Sequence, residues 1–222
     1  MDTPSVLGPC GRLELILGPM FSGKSTELQR RIRRHQAAKR RCLVIKYKRD
    51  TRYTREECIC THDQATMSAF SCDTLADAAR FVSEYDTIGI DEGQFFPDIV
   101  EFADRLADAG KIVIVAALDG TFQRRPFNDI LALIPRAENV VKLSAICQIC
   151  NSDAAFSRRL TADQEVELIG GADKYIAVCR NCYHKTIHNT TTAAENEKIS
   201  PTPPPLSPPL SPVSLEASSP PR

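Results

Sequence analysis

A phosphate-binding signature constrains the fold of this chain more than any other feature. The segment Gly18 to Ser25 satisfies G-x-x-x-x-G-K-[ST], and it lies between an apolar run at 13–17 and a proline-free stretch of helix formers at 24–38. In such a loop, glycines bring backbone N–H groups and the positive end of the following helix against phosphate oxygens. The sequence therefore predicts a strand, a nucleotide-binding loop and a helix, in that order.

The residues of this loop have separate predicted roles. Lys24 is expected to reach the outer phosphates of ATP and Ser25 to ligate Mg²⁺. The alternative, a fortuitous glycine–lysine turn, is disfavoured by the strand and helix on either side. The residues predicted to bind ATP in this segment are Gly18, Pro19, Met20, Phe21, Ser22, Gly23, Lys24, Ser25 and Thr26.

Further apolar runs alternate with helical patterns along the chain. The β-rich runs lie at 42–45, 87–90, 112–117 and 140–143, and the helical patterns at 75–82 and 99–109. Alternation of this kind predicts an α/β fold with a parallel sheet flanked by helices.

Two carboxylates, Asp91 and Glu92, follow the apolar run at 87–90. The carboxyl ends of the strands form the ligand-binding edge of an open α/β sheet, so both carboxylates should lie near the phosphate-binding loop. Asp91 suits the acidic position that holds Mg²⁺, and Glu92 is then available to accept a proton from an attacking hydroxyl. The alternative is that both residues only cap the helix that begins near Pro97.

The nine cysteines include two C-x-x-C pairs, Cys147 with Cys150 and Cys179 with Cys182. Each pair can present two thiolates to one tetrahedral ion, and four soft ligands favour zinc. Because four protein ligands leave no position for water, the zinc is expected to be structural. Replacement of one cysteine by His184 or His188 is the alternative ligand set. The other cysteines are assigned no chemistry.

Composition and sequence texture divide the chain into segments. We expect a flexible N-terminus at 1–10, a nucleotide-binding domain at 11–143, a zinc-binding lobe at 144–190 and a disordered Pro/Ser-rich tail at 191–222. Lys+Arg and Asp+Glu are equal at 28 each, so the broad positive field needed for direct nucleic-acid binding is missing. With neither a secretory signal nor an apolar run of about 18 residues, a cytoplasmic protein without a membrane segment is expected.

Together these motifs resemble the zinc-containing, type II family of cytosolic thymidine kinases over roughly Leu13 to Tyr183. The most specific segments are 16–26, 50–52, 91–96, 119–124 and 170–175. The resemblance implies transfer of the ATP γ-phosphate to the 5′-hydroxyl of thymidine, and of deoxyuridine as a second substrate, for nucleotide salvage in DNA synthesis. It makes Glu92 the catalytic base and places Asp50, Arg52, Asp91 and Gln94 beside the nucleotide.

The resemblance also implies a lasso-like loop that rises from the zinc site and closes over thymidine. The substrate-binding residues that it implies are Phe95, Phe122, Ser157, Val166, Glu167, Leu168, Ile169, Gly170 and Tyr175. Ser157 stands where vertebrate members usually carry threonine, so the hydroxyl is kept and a methyl contact is lost. The aromatic members could equally be ordinary core residues. A homotetramer and feedback inhibition by dTTP are further implications.

Two other functional classes stay open at this point. A zinc-ribbon ATPase acting on nucleic acid is suggested by the basic run at 30–34, although a solvated helix face is the simpler interpretation of that run. A nucleotide-regulated binding protein without catalysis would require Glu92 to be dispensable.

Overall fold

The computed structural model describes residues 10–48, 58–60, 66–161, 165 and 170–185. The strands in these residues are β1 (Arg12–Gly18), β2 (Cys42–Tyr47), β3 (Cys58–Cys60), β4 (Thr66–Ser68), β5 (Phe70–Cys72), β6 (Thr87–Asp91), β7 (Ile112–Leu118), β8 (Asn139–Lys142), β9 (Ala145–Ile146), β10 (Asp153–Ala154), β11 (Phe156–Arg159) and β12 (Tyr175–Val178). The α-helices are α1 (Lys24–Ala37), α2 (Ile99–Asp108) and α3 (Arg180–Tyr183), and 3₁₀ helices lie at Leu75–Ala78, Val82–Glu84, Gly93–Phe95 and Ile130–Arg136.

A six-stranded parallel sheet forms the centre of the fold, in the order β5-β2-β6-β7-β1-β8. The predicted α/β class is confirmed. The first four apolar runs lie within β1, β2, β6 and β7, which extend one or two residues beyond them, whereas β8 begins and ends one residue earlier than the run at 140–143. The run could not place this boundary, because strand ends depend on pairing with the neighbouring strand.

The two faces of the sheet bury two separate apolar clusters. On one face, Leu28 and Ile32 of α1 pack against Ile16, Val44 and Ile114. The other face packs against α2 and forms the larger cluster, in which Leu13, Leu15 and Leu17 alternate with residues of the first face. Strands buried on both sides explain why their sequences read as continuous apolar runs.

The helical pattern at 75–82 is not an α-helix. It forms two 3₁₀ segments, Leu75–Ala78 and Val82–Glu84. The Asp98 carboxylate accepts hydrogen bonds from the backbone N–H groups of Leu75 and Ala76, at 3.1 and 2.9 Å. A stretch this short gains little from helix propagation, so such local contacts decide its geometry.

The described residues between 144 and 185, called the cysteine lobe below, have a small core of their own. Two antiparallel pairs, β9 with β10 and β11 with β12, bury Ala154, Ala177 and Val178 beside Cys147 and Cys182. The described chain through Lys185 is one compact unit, and a domain boundary near residue 144 stays a prediction. The predicted tail at 191–222 and residues 1–9 of the predicted N-terminal segment lie outside the described residues. In the described part, no helix has both the length and the apolarity to cross a membrane.

Candidate active site

The phosphate-binding loop joins β1 to α1 and is wrapped tightly on itself. Gly18 and Gly23 have φ of 149° and 80°, and a Cβ at Gly18 would lie 2.7 Å from the carbonyl oxygen of Leu143. Lys24 Nζ, from a buried side chain, donates to the carbonyl oxygen of Pro19 at 2.8 Å. Gly23 precedes α1 and has no side chain that could cap the helix. The first backbone N–H groups of α1 can therefore bind an anion.

Ser25 links this loop to the acidic end of β6. Its hydroxyl donates to Asp91 Oδ1 at 3.1 Å, so the two oxygen ligands predicted for Mg²⁺ lie together. Lys24 and Glu92 are the chain neighbours of these two residues and therefore lie at the same edge of the sheet. The capping alternative is wrong, because α2 begins at Ile99 and Asp98 is its flanking residue.

Glu92 is held in an unusual backbone conformation directly after β6. Its φ and ψ are 54° and 41°, the left-handed region that non-glycine residues rarely adopt outside over-determined sites. Gln94 Nε2 donates to Glu92 Oε2 at 2.6 Å, while Gln94 Oε1 accepts from Leu118 N at 2.9 Å. The Leu118 N–H thus fixes which end of the Gln94 amide faces the carboxylate, and Gln94 fixes the orientation of Glu92.

The loop after β7 brings Phe122 to the same edge. Thr121 and Arg125 close the loop with a backbone hydrogen bond of 2.8 Å, and Tyr183 Oη donates to the Phe122 carbonyl oxygen at 2.6 Å. The Phe122 ring is half-buried and lies under the Arg159 guanidinium, 3.9 Å from the ring centroid. Phe122 is therefore placed by contacts from the cysteine lobe.

Arg159 also contacts Tyr175, its partner across the β11–β12 pair. Its guanidinium lies 5.1 Å from the Tyr175 ring centroid and donates to the Tyr175 hydroxyl and to the carbonyl oxygen of Glu165. The predicted substrate residues Phe122 and Tyr175 are thus brought together around one buried cation.

Ser157 connects the cysteine lobe to the phosphate-binding loop. Its buried Oγ accepts a hydrogen bond from the backbone N–H of Met20 at 2.9 Å. The side chain of Phe21, whose φ is 64°, packs against the cores of both the sheet and the cysteine lobe. Met20 and Phe21 of the phosphate-binding loop therefore both contact the cysteine lobe.

The four predicted zinc ligands converge. The Sγ atoms of Cys147, Cys150, Cys179 and Cys182 all lie within 4.8 Å of one another. Tetrahedral Zn–S bonds of about 2.3 Å require sulfurs about 3.8 Å apart, so the quartet fits zinc. In the described part of the chain His184 is not a member of this group, and its ring lies edge-on to Tyr183 instead. His188 lies outside the described residues.

The pKa values of the Cys150 and Cys182 thiols are shifted in opposite directions. The hydrogen bond with the Ser152 side chain, with help from the Ser152 backbone, lowers the pKa of Cys150 to about 6. Burial, followed by the neighbouring sulfurs, raises the pKa of Cys182 to about 12. A divalent cation would stabilise all four thiolates at neutral pH, which suits a metal site. Outside the quartet, burial raises the pKa of Cys72 to about 12, in keeping with an inert thiol.

The described structure does not bring several of the predicted site residues to this edge of the sheet. Asp50, Arg52, Val166, Glu167, Leu168 and Ile169 lie outside the described residues. Gly170 begins a turn in which Gly171 N donates to Asp173 Oδ1 at 2.9 Å. The Phe95 ring stacks on Tyr47, with centroids 5.2 Å apart, and meets Phe127 edge-on. Its substrate contact stays a prediction.

Comparison with known proteins decides the family. A family model described as thymidine kinase matches residues 11–183. The chain is 56% identical to cytosolic thymidine kinase of Homo sapiens over 193 residues, which cover 87% of this chain and 82% of that protein. Thymidine kinase 1 of Dictyostelium discoideum is 52% identical over 177 residues, 78% of each chain. Thymidine kinase of Monkeypox virus is 57% identical over 173 residues, 78% of this chain and 97% of that protein.

The chain belongs to the thymidine kinase family. The matched segment of this thymidine kinase family member contains the phosphate-binding loop, Glu92 and all four metal-site cysteines. Sequence reasoning missed Arg159, Asn128 and Tyr183. Asn128 Nδ2 donates to the Gln94 carbonyl oxygen at 2.9 Å and so supports the turn behind Glu92.

Proposed function

We propose that the protein is an ATP-dependent thymidine kinase that transfers the γ-phosphate of ATP to the 5′-hydroxyl of thymidine, giving dTMP and ADP. The observation that carries the proposal is the Ser25–Asp91 hydrogen bond, which joins the phosphate-binding loop to the strand end that bears Glu92. Membership of the thymidine kinase family supports the choice of acceptor.

Glu92 is the proposed catalytic base. Its carboxylate accepts the proton of the thymidine 5′-hydroxyl as that oxygen forms a bond to the γ-phosphorus and the bond to the β-phosphate oxygen breaks. Gln94 positions the carboxylate through Oε2. A base fixed in one orientation loses little conformational freedom when the acceptor arrives.

ATP binding is assigned to residues 18–26, with Asp50, Arg52, Asp91 and Gln94 nearby. Lys24 exchanges the Pro19 carbonyl oxygen for an outer phosphate oxygen. Mg²⁺, held by Ser25 and Asp91, supplies charge neutralisation on the β- and γ-phosphates when it is bound.

The acceptor side is assigned to Phe122 and Tyr175 together with the loop at 166–170, while Phe95 and Ser157 contribute nearby. A loop that closes over thymidine excludes water and so favours the nucleoside alcohol over hydrolysis of ATP. A structural zinc on the cysteine quartet anchors this loop. We further propose that deoxyuridine is a second substrate, that dTTP inhibits, that the assembly is a homotetramer, and that the enzyme acts in the cytoplasm.

The nucleic-acid-dependent ATPase is not favoured. Arg31, in the middle of the basic run, is buried and donates to Glu14 and Glu27 at 2.6 and 2.8 Å, and Arg30 is paired with Glu27 as well. Charges neutralised in this way add little to a field that could attract phosphate backbones.

Glu92→Gln tests the proposed reaction. Because the amide keeps the shape of the side chain but cannot accept the proton, thymidine-dependent transfer from radiolabelled ATP should fall by about 10³-fold. Glu101→Gln, on the exposed side of α2, is the matched control and should leave the rate unchanged. The proposal fails if Glu92→Gln turns over like wild type, or if wild type consumes ATP equally with and without nucleoside.

A further inference from the structure

Tyr183 connects the metal site to the loop that carries Phe122. It is the last residue of α3 and follows Cys182 directly, and its backbone N–H donates to the Cys179 carbonyl oxygen at 2.9 Å. Its hydroxyl donates to the Phe122 carbonyl oxygen at 2.6 Å. One side chain therefore spans from the second C-x-x-C pair to the loop after β7.

The Tyr183 ring is fixed by its own surroundings. The Arg124 guanidinium lies 4.4 Å from its centroid, and the Phe156 ring lies 5.9 Å away at a steep angle. Arg158 Nη1 donates to the Cys182 carbonyl oxygen at 2.9 Å, which ties β11 to α3. On the side of the cysteine lobe, the edge-on contacts with Phe156 and His184 hold the ring, so the lobe sets the direction of the hydroxyl, and Arg124 packs on the ring from the loop after β7.

The loop after β7 has internal bonds that set its shape. Thr121 Oγ1 accepts from the backbone N–H groups of Gln123 and Arg125, at 3.2 and 3.3 Å, and Arg124 N donates to the Thr121 carbonyl oxygen at 2.9 Å. Bonds inside a turn do not fix where the turn lies against another lobe. The Tyr183 hydrogen bond and the Arg124 stack do fix it, and they keep the Phe122 ring under Arg159.

We propose that Tyr183 is a positioning residue for the nucleoside, through which the cysteine lobe sets the placement of Phe122. The inference rests on the proposed function, in which Phe122 belongs to the acceptor side of the site. Tyr183 acts through the Phe122 backbone and does not itself contact a substrate. Metal binding and nucleoside affinity are thereby coupled by a contact separate from the lasso-like loop.

Tyr183→Phe tests this role, since it keeps the ring and removes only the hydroxyl. The KM for thymidine should rise about fivefold, the factor that one net hydrogen bond supplies, while kcat and the KM for ATP change less than about twofold. Zinc content measured by metal analysis should stay at the wild-type value. Tyr85→Phe, before β6 and so at the edge of the sheet opposite the site, should leave both KM values unchanged.

A double-mutant cycle with Phe122→Leu shows whether the effect passes through Phe122. In the Phe122→Leu background, Tyr183→Phe should raise the thymidine KM by less than about twofold, because the ring that the hydrogen bond positions is absent. An undiminished effect in that background, equal increases in both KM values, or loss of zinc from Tyr183→Phe would each overturn the inference. A wild-type thymidine KM for Tyr183→Phe in an active preparation would do so as well, whereas an inactive wild type would instead count against the proposed function.

Discussion

Ser157 has a buried hydroxyl that accepts from the backbone of the phosphate-binding loop. Replacing it with alanine would leave the Met20 N–H unpaired, and an unpaired buried donor costs about 1–3 kcal/mol. Ser157→Ala should therefore lower the free energy of unfolding by about 1 kcal/mol or more and raise the KM for ATP severalfold, because the loop loses a fixed peptide orientation. Urea unfolding and initial rates at varied ATP check both effects.

Ser157→Thr is the matched variant, since it keeps the oxygen that accepts from Met20 N. It should retain the unfolding free energy to within about 0.5 kcal/mol, with any change confined to the thymidine KM through the added methyl group. A Ser157→Ala protein as stable as wild type would show that another group pairs the Met20 N–H.

Among individual residues, the sequence predicted those whose role follows from a local motif. Gly18, Ser25 and Asp91 are examples, because strand–loop–helix context alone brings a phosphate-binding loop to the carboxyl edge of a sheet. Arg159 and Tyr183 could not be found in this way. For Arg159 the available signal was alternation along β11, which places it on the same face as Ser157, and its pairing with Tyr175 agrees with that placement.

Helix α1 carries a charged network on its first two turns. Glu27 accepts two hydrogen bonds from Arg30, at 2.6 and 2.7 Å, and one from Arg31 at 2.8 Å. The Arg30 hydrogen bonds, followed by that of Arg31, lower the pKa of Glu27 from 4.5 to about 2. Glu27→Gln should therefore cost about 1 kcal/mol of unfolding free energy at pH 7.

The depressed pKa of Glu27 also predicts how the stability difference between wild type and Glu27→Gln changes with pH. A carboxyl whose pKa is depressed by folding stabilises the protein fully above its unfolded value and loses that contribution as pH falls toward the folded value. The stability gap between wild type and Glu27→Gln should therefore narrow as pH falls from about 5 toward 2. Urea midpoints at several pH values measure the gap, and Glu101→Gln serves as the reference. A gap that widened at low pH would contradict the assignment.

The sequence predicted the long and regularly patterned helices and strands better than the short ones. Helices α1 and α2 begin where their patterns begin and end one residue earlier. Helix α2 has a full apolar face to bury, whereas α1 is a long proline-free run of helix formers that packs Leu28 and Ile32 on the sheet. The segment at 75–84 lacked that length, and contacts from Asp98 shaped it instead. Edge strand β5 was missed, since a three-residue strand has too few positions for alternation to be visible.

Two unequal cores make up the described molecule. The sheet buries apolar side chains on both faces, whereas the core of the cysteine lobe is small and includes the thiol side chains themselves. We expect a core of that size to need a bound metal to offset the conformational entropy of its strands. The sequence predicted this dependence from the doubled C-x-x-C spacing, but not that the lobe contacts both the phosphate-binding loop and Phe122. Those contacts lie far apart in sequence and follow no local pattern.

Loss of the metal should therefore disorder the cysteine lobe before the sheet. Cys179→Ser should abolish stoichiometric zinc and weaken thymidine binding by at least about tenfold, because Tyr183 and the strands below it lose their anchor. Amide hydrogen exchange should speed up in β11 and β12 while β1 and β7 stay protected, which would place the boundary near residue 144. Cys10→Ser, exposed and outside the quartet, is the control for thiol loss. Simultaneous loss of protection in β1, or wild-type protein that contains no zinc, would contradict a metal-dependent lobe on an independent sheet.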